Sequence, residues 1–293
     1  MLLTEMRRGV IVLMLALGCA PSSPEKPPPA SATSATPQQA PIPSDLVDPI
    51  AKSAAIGRQL YVFHTAAALG SDALLANVPD AANKGLAAPL PLQESDAEGH
   101  PKESFLVSFF TTDDPPRIAY EVRLAPNTKP DVLPYAPPKE AAPAFVALVR
   151  ARQVALSALP PSPSDQPITA IVLPGEAKGG SDVFVYLLTG TTKPNVAVFG
   201  KHYRALVPLG GTSATYLAPI NNLPLEVPTK GPNGEPVEAL VVNHAATEYP
   251  VETHVFESLV HKLPVYVGTR RGNFRVDGDK ISFAGEKGPT KID

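Results

Sequence analysis

The chain has 293 residues, 44% of them apolar, and a formal charge of −3 from 25 basic and 28 acidic side chains. That length holds one large domain or two small ones, the apolar content suffices for a buried core, and the lack of a basic excess argues against nucleic acid as a partner. Proline is the unusual residue, at 36 positions against an ordinary share of ~5%, and Cys19 is the single cysteine.

Arg7 and Arg8 precede an apolar run, Val10 to Leu17, which Gly18 and Cys19 follow. A positive start, a short apolar core and a small residue before a cut are the parts of a secretory signal. As a helix the run spans only about 12 Å, far short of the ~30 Å of a bilayer core. Residues 1–18 therefore read as a signal peptide and not as a permanent span. "LGCA" resembles the signal of bacterial lipoproteins, in which the cysteine after the cut receives lipid. Ala16 and Leu17 stand where that family usually has a branched apolar residue and a small one.

The resemblance implies lipidation of Cys19 by palmitate-like chains and a membrane anchor in the cell envelope. Ala20 in place of aspartate implies the outer membrane. Each buried CH₂ adds ~0.8 kcal/mol of membrane affinity, so several acyl chains anchor stably. The three methionines, Met1, Met6 and Met14, also precede Cys19. A body cut there has no internal disulfide, thiolate metal site or cysteine nucleophile.

Residues 19–43 carry eight prolines and almost no large apolar side chain before Ile42. Such a segment cannot bury enough surface to offset its ordering entropy. In polyproline II form its ~24 residues reach at most ~75 Å. It reads as a disordered tether, with no proline-motif ligand pattern.

From Ser44 to about Leu75 the spacing of Leu46, Ile50, Leu60, Phe63 and Ala67 predicts a helix, capped by Ser44 or Asp45, with Gly57 as a possible interruption. Asn77 to Lys102 is polar and turn-rich with no period. "FLVSFFT" (105–111) and the alternating "RIAYEVRL" (117–124) predict two strands around the turn "TDDPP". Pro126 to Pro138 reads as a loop. The run 140–159 predicts a helix with Phe145, Leu148, Val149, Arg152, Leu156 and Leu159 on one stripe, stopped by Pro160-Pro161.

Strands are then predicted over 168–173, 183–189, 195–207, 214–220 and 237–244, with turns at Lys193-Pro194-Asn195, Gly210-Gly211 and Asn233-Gly234. A helix over 251–262, a strand over 264–268 and a hairpin turning at Asp277-Gly278 complete the chain. The expected class is α+β, a mainly antiparallel sheet with two or three packed helices. A single domain over 44–293 is expected, the alternative being a helical and hairpin part (44–160) on a β-rich part (161–293).

The densest chemistry lies in "ETHVFESLVHK". On a helix His254, Glu257 or Ser258, and His261 share a face, a spacing that suits acid–base work or two ligands on one metal. With Val255, Phe256, Leu259 and Val260 opposite, the plainer reading is a solvated polar face. On the strand "GKHYR", His202 and Arg204 point the same way and could hold an anion, or simply form an outer sheet face. His244 could pair with His202 if their strands neighbour each other, or pack structurally; His64 reads as packing or surface. Arg270, Arg271 and Arg275 around a turn could meet a carboxylate or phosphate, or decorate the surface.

No phosphate loop, nucleophile elbow or dinucleotide fingerprint is present in the sequence, and no cofactor is implied. "GKHYR", "ETHVFESLVHKLPVYVGT" and "FRVDGDKISF" together resemble an uncharacterised family of secreted Gram-negative bacterial proteins, which implies the compartment and carries no site residues. The leading expectation is a non-catalytic envelope lipoprotein that binds another envelope protein or glycan or has a structural role. The competitors are an envelope hydrolase using the cluster around 254–261 and a metal-binding periplasmic protein.

Overall fold

Ile50, Ser53, Ile56, Leu60, Phe63, Ala66, Gly70 and Ala73 recur every three or four residues, and all are buried along one helix, α1 (Val47–Asn77). A computed structural model describes residues 40–160, 166–173, 182–220 and 225–285. The signal, Cys19 and nearly all of the tether fall outside these residues. The described residues lie in one unit, Pro37–Asp293.

No side chain caps α1; the chain enters through one 3-10 turn, Ser44–Leu46, closed by Leu46 N–H on the Pro43 carbonyl at 2.9 Å. The expected cap by Ser44 or Asp45 is thus replaced by a tighter backbone turn. Pro49 is accommodated because the first helical turn needs no intrahelical N–H donor. Gly57 does not interrupt the helix. A Cβ there would lie 2.5 Å from the Val255 Cβ and 2.6 Å from the Glu252 carbonyl oxygen, so the glycine is the point of close approach to a second helix.

Among the described residues there are three α-helices and four sheets, most strand pairs antiparallel, an α+β fold. The first sheet runs β1 (Leu90–Ser95), β2 (Pro101–Phe110), β3 (Arg117–Leu124) and β4 (Asp131–Glu140), in that order. β1 and β4 correct the expectation of loops. Their prolines, Pro91 and Pro134, Pro137 and Pro138, sit on edge strands, where a missing N–H donor breaks no ladder.

α2 (Pro143–Ser157) begins on proline at its first position, as helices favour. The second sheet is β5 (Ile168–Leu173), β6 (Asp182–Thr189), β8 (Tyr203–Pro208) and β9 (Tyr216–Pro219). It is covered on both faces. Ile171, Leu173, Tyr186 and Leu188 join α1 and β2 in one core, while Val172, Val183, Val185, Leu187, Ala205 and Val207 join α2 in another. Burial on both sides explains the almost unbroken apolar run of β6. Each such side chain contributes about 1.5–3 kcal/mol when fully buried.

The single strand expected over 195–207 is two. β7 (Val196–Val198) pairs with β10 (Glu226–Pro228), and Lys201, at φ +55°, turns the chain before β8. The last sheet is β11 (Leu240–Asn243), β12 (Val265–Thr269), β13 (Gly272–Asp277) and β14 (Lys280–Gly285). Here β11 and β12 are parallel, and the crossover between them is α3 (Glu252–His261), as parallel neighbours require. Val255 of α3 packs with Leu240, Val242, Val265, Val267 and Val276. No helix of the described residues is long and apolar enough to cross a membrane.

Candidate functional site

The polar residues of α3 are the candidate chemistry, and the fold hides them. Glu252, Thr253, His254, Glu257 and Ser258 are all buried, which overturns the reading of a solvated face. The helix is enclosed because α1 crosses it at Gly57 while the last sheet supports its apolar side. Its polar groups consequently need partners inside the protein, and they find them in separate places.

His254 lies at the third position of α3. Its Nδ1 accepts the Val251 N–H at 3.1 Å, the role a glutamate plays in a capping box. This leaves the proton on Nε2 and the ring neutral. The ring stacks on Phe199 at 6.1 Å and meets His244 edge to face at 4.8 Å. His202 is held from both sides: Nδ1 accepts the Thr189 N–H at 3.1 Å and Nε2 donates to the Val198 carbonyl at 2.9 Å.

Burial lowers the pKa of all three rings. For His202 the charge of Glu257 opposes this, and for His254, which falls well below its ordinary value, His244 and His202 reinforce it. His244 and His202 do not pair, because the strands next to them belong to different sheets; His254 stands within electrostatic reach of both.

Glu257 and His261 face a different region. Their side chains meet at 3.1 Å, the carboxylate almost fully buried. They line a cavity of about 270 Å³ with His64, Phe256, Thr189 and Thr191. His64, read from the sequence as packing or surface, packs edge-on against Phe256 at 5.4 Å. Burial lowers its pKa while the Glu257 charge pulls the other way. The cavity thus joins a carboxylate to two imidazoles, a set able to move protons. Two of its hydroxyls are engaged with backbone: that of Thr189 donates to the Lys201 carbonyl at 2.6 Å, and that of Thr191 accepts the Lys193 N–H.

His254, Glu257 and His261 are therefore not gathered at one point, and among the described residues no group of three or more His, Cys, Asp or Glu side chains is placed to hold a metal ion. Ser258 is structural. Its hydroxyl donates to the Leu263 carbonyl and accepts the Gly278 N–H at 2.9 Å, tying the helix end to the β13–β14 turn.

The anion-site expectations are corrected too. Because Lys201 turns the chain, His202 and Arg204 do not act together: His202 is sealed in the core, and Arg204 contacts Glu252 at 3.2 Å. Arg271 grips Asp45 through both terminal nitrogens, at 3.0 and 3.1 Å, and Arg270 donates to the Ala246 carbonyl. Arg275 pairs with Asp277 at 2.6 Å. Arg270, Arg271 and Arg275 each bond an acceptor of the protein, so these three do not converge on an open anion site.

Sequence reasoning missed the place of His64 at the cavity, Glu252, and Tyr186, a buried phenol whose pKa is raised by burial and then by Glu252. Each acquires its role from residues far along the chain, and no local spacing signals that. No protein-family model matches the chain, and no match is found among curated proteins or solved structures.

Proposed function

We propose that this chain is a lipid-anchored protein of the bacterial envelope, held through Cys19 at the outer membrane and extended by its proline-rich segment. Its folded part has a non-catalytic role in binding an envelope protein or glycan. The observation that carries the non-catalytic part is the dispersal of the α3 side chains. His254 closes a helix start, Ser258 ties a turn, and Glu252 meets Arg204.

Mass spectrometry of the mature N-terminus tests the anchor: a triacylated Cys19 is expected, and an unmodified terminus downstream of it would refute the reading. Crosslinking in intact cells tests the binding role. A reproducible envelope partner is expected, and a protein that meets none while cleaving envelope polymers would overturn it.

A second reading, an envelope hydrolase, is favoured by one feature, the buried Glu257 flanked by His64 and His261 at a cavity. It requires peptidoglycan cleavage by the wild type that Glu257→Gln abolishes at unchanged melting temperature.

A further inference from the structure

A second cavity, of about 460 Å³, opens where α3 begins, lined by Lys52 of α1, Arg204 and Tyr216 of the second sheet, and Thr247, Tyr249 and Glu252. Its charged floor is built into the core. Glu252, with a side chain only 7% exposed, meets the Arg204 guanidinium at 3.2 Å. That guanidinium also lies over the Phe184 ring, 5.7 Å from its centroid. One donor, the buried Arg204 Nε, has no partner among the described residues.

The charges of this cavity do not cancel. Lys52 and Arg204 are its cations and Glu252 its one carboxylate. Glu252 compensates Arg204, so Lys52, exposed at the rim, stands in excess. A single negative charge balances the cavity. A phosphate, carrying −1.5 to −2, over-fills that balance and is repelled by Glu252. The size falls within the range of small-molecule sites, and the tyrosines at the rim offer flat apolar faces with polar edges.

We propose that this cavity binds a small monocarboxylate with a hydrogen-bonding body, such as a sugar acid or an N-acyl amino acid, its carboxylate beside Lys52 and Arg204. The inference rests on the binding role proposed above and names a ligand class for it.

Calorimetric titration of the full chain with glucuronate and with N-acetylalanine separates the two sources of the carboxylate. Glucuronamide, N-acetylalanine amide and inorganic phosphate serve as controls. Binding of at least one acid is expected, with its amide and phosphate at least tenfold weaker. Lys52→Ala, at an exposed position where folding is undisturbed, is expected to weaken binding about tenfold, and Lys52→Glu to abolish it. Equal binding of acid and amide, equal binding by the Lys52 variants, preference for phosphate, or no binding of either acid with a Kd of about 1 mM or tighter overturns the site. Absence of binding leaves the anchor and partner reading standing, whereas binding followed by chemical turnover keeps the site and overturns the non-catalytic reading.

Discussion

The imidazoles of His244 and His254 meet edge to face with centroids 4.8 Å apart, and the Nε2 of His244 is buried there without a hydrogen-bond partner. His202 lies within electrostatic reach of His254, and Glu257 is the carboxylate whose charge reaches His202. Folding thus holds three rings neutral that water would let ionise.

Acid should therefore unfold the protein before its carboxylates titrate. The folded pKa values of His202, His244 and His254 lie below the ordinary 6.5, so below that pH the unfolded chain binds more protons. Stability is fully present above pH 6.5 and is lost as pH falls, each ring contributing up to about 1.4 kcal/mol per pH unit until its folded pKa is reached. Melting curves from pH 7.5 to 5 check this, with a steep fall expected below 6.5 and a flat response counting against it.

His244→Phe keeps the edge-to-face shape and removes an unanswered polar atom, whose burial costs about 1–3 kcal/mol. The variant should be as stable as the wild type or more so at pH 7, and its acid-dependent loss should be shallower by one group. Denaturant titration at pH 7 and 5.5 reads both effects.

Gly57→Ala should destabilise although alanine is the better helix former by about 1 kcal/mol. The added methyl would meet the Val255 Cβ at 2.5 Å and backbone at 2.6 Å, and overpacking of this kind costs about 1–3 kcal/mol. The combination Gly57→Ala with Val255→Ala should recover little of the loss, because alanine keeps the Cβ at 2.5 Å and the Glu252 carbonyl stays, and only the Cγ1 contact at 2.7 Å is removed. Chemical denaturation of the single and double variants measures the coupling.

Glu252→Gln should cost about 1–3 kcal/mol by leaving Arg204 without its counter-charge, less than a fully buried pair because Arg204 is partly solvated. The double change Glu252→Gln with Arg204→Gln should recover stability relative to the single change. A double variant less stable than the single would count against the ion pair as the cause.

The strand 117–124 and the hairpin around Asp277-Gly278 were legible because alternation and turn chemistry are local, although the face of 117–124 expected to be wet buries Ala119 and Glu121. β4 was not, since its prolines mimic a loop until β3 is seen to pair with only one side of it. The break at Lys201 was equally hidden, because His202 and Thr189 hold it through bonds that no alternation pattern signals. The candidate site failed for a related reason. The polar residues of α3 were picked out, but their surroundings depend on Gly57, Arg204, His244 and Thr189, which are brought to them only by tertiary packing and divide them between separate places. Amphipathic spacing tells which residues share a side and is silent on whether that side meets water.

The Ala40 N–H donates to the Phe283 carbonyl at 3.1 Å in an isolated antiparallel bridge on β14, and a few residues later Asp45 is clasped by Arg271. The beginning and end of the described chain are therefore fastened to each other. Mechanically, a pull on the chain ahead of Ala40 loads this one bridge first, the Asp45–Arg271 clasp next, and α1 only after both have yielded. Tension from a tether would be absorbed by peeling a few residues from a sheet edge, leaving the two cavities beside α3 undistorted.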